Sequence, residues 1–399
     1  MSMFAISNRA EKMKSSVIRE LLKLTQKPGV ISFAGGLPSE EVFPILDIKE
    51  AADRMLIENG RQALQYGTTE GYQPLREYLS TWMKKNKGIN CTPDEIMITS
   101  GSQQGLDLTG RVFINEGDNI FASSPTYLGA IQAFNAYHPN WVTLPSDENG
   151  MLVDELDEVI GKTNPKFIYQ VPTFQNPDGR TMPVDRREKL MEAAVKHNVP
   201  IIEDDPYSSL VYTGTTPPPL KSMNSDYVVY MSTFSKMVCP GFRVAWIAAP
   251  KEILDKYIKM KQGCDLNTST LAQYLLYEYI KDGKMDAHVE KMKEVYGSRM
   301  RKMKECIGKY FPEETKVTNP TGGMFFWVEL PKSIDTTELL PIAVKKDVAF
   351  VPGAAFHPDG TGQNTMRLNF SKSNEEEIEE GFKRLGKVIE EQLAGKKPC

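Results

Sequence analysis

YVVYMSTFSKMVCPGFRVAWIAA, residues 227–249, sets two apolar runs of strand length on either side of a short segment carrying a lysine and a Pro-Gly turn. Apolar runs of four to eight residues bounded by turn signals are how strands buried on both faces read. The same unit recurs upstream. From about Asp94 to Pro250, IMIT, NIFAS, FIYQV, VPIIED, YVVYMS and VAWIAA alternate with amphipathic stretches, including helices expected from Gln103, from Tyr127 and around Arg187 to His197. This alternation predicts an α/β fold, a mainly parallel sheet flanked by helices on both faces. Ligands of such sheets sit beyond the carboxyl ends of the strands, so the residues that follow each run are the first candidates for chemistry.

Beyond that region Met285 to Phe311 has a helical pattern. GGMFFWVELP, VAFVPGAAFH and MRLNFS then read as strands closed by a helix, EEEIEEGFKRLGKVIEEQL. This predicts a second, smaller α+β domain. We expect residues 46–289 to form the large domain, and residues 1–45 with 290–399 the small one, including a mobile N-terminal segment. Three successive prolines make Thr213 to Pro219 a loop.

Composition excludes several classes of function. Lys and Arg number 48 against 52 Asp and Glu, a net charge of -4, so no bulk positive field gathers nucleic acid or an anionic membrane. The five cysteines are odd in number and lack CxxC spacing, which fits a reducing, cytoplasmic setting. The first twenty residues have no continuous apolar core, and no run reaches membrane-spanning length. The four histidines are scattered without metal-ligand spacing, and no metal is expected.

The chemistry concentrates after the strands. Lys236 lies between a buried strand and a turn, with Thr233, Ser235 and Arg243 near it. Most lysines are solvated charges, but one desolvated in such a place loses its proton and can form a Schiff base. The hydroxyls and the guanidinium suit a phosphate on the same ligand. Gly101, Ser102 and Gln103 occupy a strand-to-helix turn, which is either an anion site at a helix N-terminus or an ordinary N-cap. Asp204 and Tyr207 follow the strand VPIIED. A carboxylate there can hold the proton of a pyridine nitrogen, while Asp-Asp-Pro also favours a plain solvated turn. Asn176, in QNPDG, reads equally as a turn residue.

Taken in chain order, Ser102-Gln103, Tyr127, Asn176, Asp204 with Tyr207, Lys236, Arg243 and Arg367 in NTMRLNFS resemble the class I aminotransferases of the fold-type I pyridoxal-phosphate enzymes, over essentially the whole chain. The resemblance makes residues 46–289 the cofactor-binding domain and implies pyridoxal 5'-phosphate held on Lys236 as an internal aldimine. It implies that Asp204 pairs with the pyridine nitrogen, Tyr207 and Asn176 bond the phenolic oxygen, and Tyr127 stacks on the ring. Gly101, Ser102, Gln103, Thr233, Ser235 and Arg243 would hold the phosphate, joined by Tyr66 of the neighbouring subunit, so that a homodimer shares its active sites. Arg367 would grip the substrate α-carboxylate, with Asn176 also on the substrate side.

SSVIRELLKLTQKPGVISFAGGLPSEEVFP and KQGCDLNTSTLAQ further resemble the α-aminoadipate and broad-range aromatic aminotransferase group. That likeness puts Gly36 against the substrate and brings Arg19, on a mobile helix, to a distal carboxylate. Periodicity alone leaves Arg19 on the solvated face opposite Val17, Ile18, Leu21, Leu22 and Leu24. The implied activity is transfer of an amino group from 2-aminoadipate, an aromatic or a branched-chain amino acid to a 2-oxo acid, 2-oxoglutarate, by a ping-pong route. Two rivals share the fold. A lyase or decarboxylase is disfavoured because a carboxylate pinned by Arg367 leaves the Cα–H bond perpendicular to the ring. An effector-binding regulator would carry a DNA-binding domain ahead of AGGLP, where only about thirty residues stand.

Overall fold

The computed structural model describes residues 4, 6–12 and 29–395. Its strands in chain order are β1 (Ile31–Ser32), β2 (Ile96–Thr99), β3 (Asn119–Ser124), β4 (Asn140–Asp147), β5 (Gly150–Met151), β6 (Ile168–Gln170), β7 (Ile201–Asp204), β8 (Val228–Thr233), β9 (Ala245–Ala248), β10 (Lys316–Val317), β11 (Phe325–Glu329), β12 (Val348–Ala349), β13 (Val351–Pro352) and β14 (Thr365–Asn369). The large sheet runs β2-β9-β8-β7-β6-β3-β4-β5. β4, β3, β6, β7 and β8 are parallel neighbours, and β9 runs antiparallel between β8 and β2. The result is a mainly parallel sheet flanked by helices, as the alternation of apolar runs predicts.

Alternate residues of each strand go to opposite faces, and both faces are covered. Ile98, Tyr230 and Trp246 pack with Leu79 and Trp82 of the helix Gln73–Lys87. Their chain neighbours Met97, Met231 and Ile247 pack with Leu106 and Tyr257, from the helices Ser102–Phe113 and Lys251–Gln262. Each large side chain buried this way contributes roughly 1.5–3 kcal/mol. β4 escapes the expectation drawn from apolar runs, because most of its residues are only half-buried.

The strand directions fix where a site can form. β2, β3, β6, β7 and β8 end at one edge of the sheet, and because β9 is reversed its first residues start there as well. Thr99, Ser124, Gln170, Asp204 and Thr233 therefore converge on one edge, with Arg243 just ahead of β9.

A second sheet, β10-β11-β14-β13, is antiparallel, and β1 pairs with β12 beside it. The helix Lys284–Tyr310 serves both bodies. Met285 and Val289 join the cluster around Trp246, whereas Met292, Tyr296, Met300 and Met303 join the cluster around Phe326 and Phe382. Among the described residues no helix is long and apolar enough to cross a membrane.

Candidate active site

After β2 the chain turns through Gly101 at φ +82°, and a Cβ there would lie 2.2 Å from Arg243 Nη2. Glycine both adopts the left-handed backbone and lets the guanidinium lie on the turn. The helix Ser102–Phe113 begins at once, so its first N–H groups and the positive end of its dipole face the same space. Ser102 Oγ is buried without a hydrogen-bond partner. Across from it, Thr233 Oγ1 accepts from Ser235 N at 3.1 Å and bonds Ser235 Oγ at 3.0 Å. That cap starts the single turn Phe234–Lys236, which presents the lysine. Ser102, Gln103, Thr233, Ser235 and Arg243 thus line one cavity of about 260 Å³, a set of donors whose chemistry suits an anion.

Tyr127, Asn176, Asp204, Tyr207 and Lys236 line the same cavity. Asp204, the last residue of β7, takes a hydrogen bond from Tyr169 at 2.9 Å on Oδ2, and its Oδ1 is buried without a partner. Burial raises its pKa to about 7, against the pull of the Tyr169 hydroxyl and with the help of Asp205. Lys236 Nζ donates to Gly36 O at 2.6 Å. Burial, then Arg367 and Arg243, lower that amine to about 8. A carboxyl pushed up and an amine pushed down into the neutral range thus line one cavity, as perturbed groups at functional sites do. Asn176 Nδ2 donates to the Tyr207 hydroxyl at 3.3 Å. Burial holds the phenols of Tyr127 and Tyr207 above their ordinary value.

Arg367, on β14, is 1% exposed and lies outside the cavity wall. It reaches the cavity through Asn176, whose Oδ1 accepts from Nη1 at 2.7 Å, while Nη2 holds Ala34 O at 2.7 Å and Nε is buried without a partner. Its guanidinium lies over Phe325 at 4.3 Å and Phe356 at 5.0 Å. Burial lowers its pKa to about 10, which leaves it a cation at neutral pH.

Two expected participants stand apart. Tyr66 is 80% exposed and does not line this cavity. Arg19 lies outside the described residues. Conversely, sequence reading missed Tyr169, Phe325 and Phe356. A tyrosine inside a central strand carries a hydroxyl that must find a partner, and that requirement is the signal that could have flagged Tyr169.

The sequence profile of the class I and II aminotransferases matches residues 29–385. Aromatic-amino-acid aminotransferase 1 of Thermococcus litoralis is 46% identical over 97% of this chain and 94% of its own. The 2-aminoadipate transaminase of Thermus thermophilus is 41% identical over 98% of both chains. Among solved structures, the Pyrococcus horikoshii kynurenine aminotransferase in complex with PMP superposes with a TM-score of 0.94, at 43% identity and 97% coverage of both chains.

Proposed function

Because the chain belongs to the class I and II aminotransferase family, we propose that it moves the amino group of an L-amino acid to 2-oxoglutarate, using pyridoxal 5'-phosphate held by Lys236. The donors are 2-aminoadipate and aromatic or branched-chain amino acids, a range suggested by the relatives' names. One juxtaposition carries the reading. A depressed amine, a carboxylate oxygen without a partner and a hydroxyl without a partner open into one cavity. These groups fit the cofactor: Asp204 Oδ1 suits a protonated ring nitrogen, and Ser102 with Thr233, Ser235, Arg243 and the Gly101 turn suits a phosphate.

When bound, the cofactor supplies a carbonyl that accepts nitrogen and a ring that takes up electrons. The protein does the rest. Lys236, whose amine is lowered to about 8, would hold the cofactor at its carbonyl carbon and, when free of it, would carry the proton lost from the substrate Cα to that carbon. Asp204 would pair, ionised, with a protonated ring nitrogen through its unpartnered Oδ1. Tyr207 and Asn176 would hold the phenolic oxygen, and Tyr127 would cover the ring face. Arg367 binds the α-carboxylate, with Gly36 beside the substrate and Arg19 reaching a distal carboxylate. Donor and acceptor use the same site in turn, which gives ping-pong kinetics.

Residues 46–289 form the cofactor-binding domain, and residues 1–45 with 290–399 form the small one. Two copies share their sites. Leu46, Ile57 and Tyr66 are at least 80% exposed on and just beyond the helix Ile45–Ala63, an apolar face that a second copy would cover. The four described cysteines are all free, which supports a cytoplasmic setting.

The purified protein is expected to be yellow, to lose that absorbance with borohydride, and to make glutamate from 2-oxoglutarate and an amino donor. Release of ammonia or carbon dioxide without glutamate would replace this reading with a lyase or decarboxylase. A panel of donors assayed against 2-oxoglutarate ranks the substrates.

A further inference from the structure

The anion-binding turn is gripped from outside the cavity. Asp265 Oδ2 accepts hydrogen bonds from Ser100 Oγ at 3.1 Å and from Gln104 Nε2 at 2.7 Å. Its other oxygen takes Lys261 Nζ at 2.6 Å. Gln104 Oε1 accepts from the Ser100 N–H at 2.8 Å, and Ser100 Oγ also bonds Thr268 Oγ1 at 3.2 Å. Ser100 and Gln104 are therefore tied to one carboxylate and to each other, and they bracket Gly101, Ser102 and Gln103. The Lys261 side chain is fully buried, and a buried ammonium needs an ionised partner. That pairing keeps Asp265 charged and fixes the direction of both its oxygens.

We infer that Asp265 is a positioning residue for the cofactor phosphate: touching neither cofactor nor substrate, it holds the turn whose N–H groups and hydroxyl meet the anion. The inference rests on the cofactor reading above. A turn held in its binding geometry beforehand avoids the loss of affinity that ordering on binding would cost. The effect belongs to the phosphate end. Asp204 takes its hydrogen bond from Tyr169, and Asn176 and Tyr207 take theirs from Arg367 and from each other.

The test is the affinity of apoenzyme for pyridoxal phosphate and for pyridoxal, which lacks the phosphate, followed by absorbance. Asp265→Ala is expected to weaken pyridoxal phosphate about tenfold, and pyridoxal by less than about twofold. Ser100→Ala, which leaves the Lys261–Asp265 pair intact, should shift the same ratio by a smaller factor. If Asp265→Ala does not fold, Asp265→Asn and Ser100→Ala carry the comparison. Unchanged affinity for pyridoxal phosphate in these variants would overturn the inference. So would equal losses for both compounds, which would mean a general structural role. Wild-type apoenzyme that binds neither compound would instead overturn the cofactor reading itself.

Discussion

Asp204 and Tyr66 stand at opposite extremes of this molecule. Asp204 is 2% exposed, ends a central strand and has one oxygen committed to Tyr169. Tyr66 is 80% exposed on a surface segment after the helix Ile45–Ala63. The floor of the cavity is made by one chain from strand ends that the sheet cannot move. Its rim, on the reading proposed above, would draw on Tyr66 of a second copy and on Arg19, which lies outside the described residues. The contrast teaches that chemistry and substrate choice have separate structural supports here, so variants should separate them too.

Lys236→Ala strikes the floor hardest. Transamination is expected to fall on the order of 10⁴-fold with every donor alike, checked by glutamate formation across the panel. A loss confined to one class of donor would mean that floor and rim are not independent.

Asp204→Asn should lower turnover by about 100-fold or more, because the ring nitrogen loses its ionised partner. The apoenzyme should respond in the opposite sense. The buried carboxyl titrates near 7 rather than near its ordinary 3.8, so the folded state binds this proton more tightly than the unfolded chain. Its contribution to stability therefore falls as pH rises between those values, by about 1.4 kcal/mol for each pH unit of displacement. Asn carries no such charge. Apo Asp204→Asn should melt above apo wild type near pH 8, with the gap closing as pH falls toward 4. Equal melting temperatures across that range would mean that the Asp204 charge is well solvated.

The floor was also the legible part of the sequence, for a physical reason. Gly101, Asp204 and Lys236 follow apolar runs whose length and boundaries announce buried strands, so their place at the sheet edge follows from periodicity. Tyr169 escaped because inside such a run it reads as core, and its hydroxyl shows only when the facing residue is known. β4 escaped because a half-exposed strand has no apolar run to detect. Neither the Arg367–Asn176 bond, across 191 residues of chain, nor the grip of Asp265 on Ser100 leaves any local pattern. Spacing shows where strands end, and only the fold shows which ends and loops meet.

At the rim, Tyr66→Ala alone should weaken cofactor affinity about tenfold, the loss of a hydrogen bond to a charged group. The sharper test mixes subunits. In a heterodimer of Lys236→Ala with Tyr66→Ala, one site carries both lesions and the other carries neither, if each site draws its tyrosine from the partner. Such a heterodimer should show about half of wild-type activity, although Lys236→Ala alone is inactive. Activity no higher than the Tyr66→Ala parent's diluted share would place Tyr66 with its own chain's site, or with none.

The smallest expected effect concerns Arg19. A guanidinium meeting a distal carboxylate contributes only where that carboxylate exists. Arg19→Ala should therefore raise KM for 2-aminoadipate by several-fold to about tenfold, while KM for leucine and phenylalanine and kcat for all three stay nearly unchanged. The split follows from the separation of rim and floor. On the proposed reading Arg19 would touch a part of the substrate that does not react, so its loss would weaken ground state and transition state equally. A fall in kcat with leucine would tie Arg19 to the catalytic step itself. Equal shifts in KM for the three donors would return Arg19 to the solvated face that periodicity assigns it.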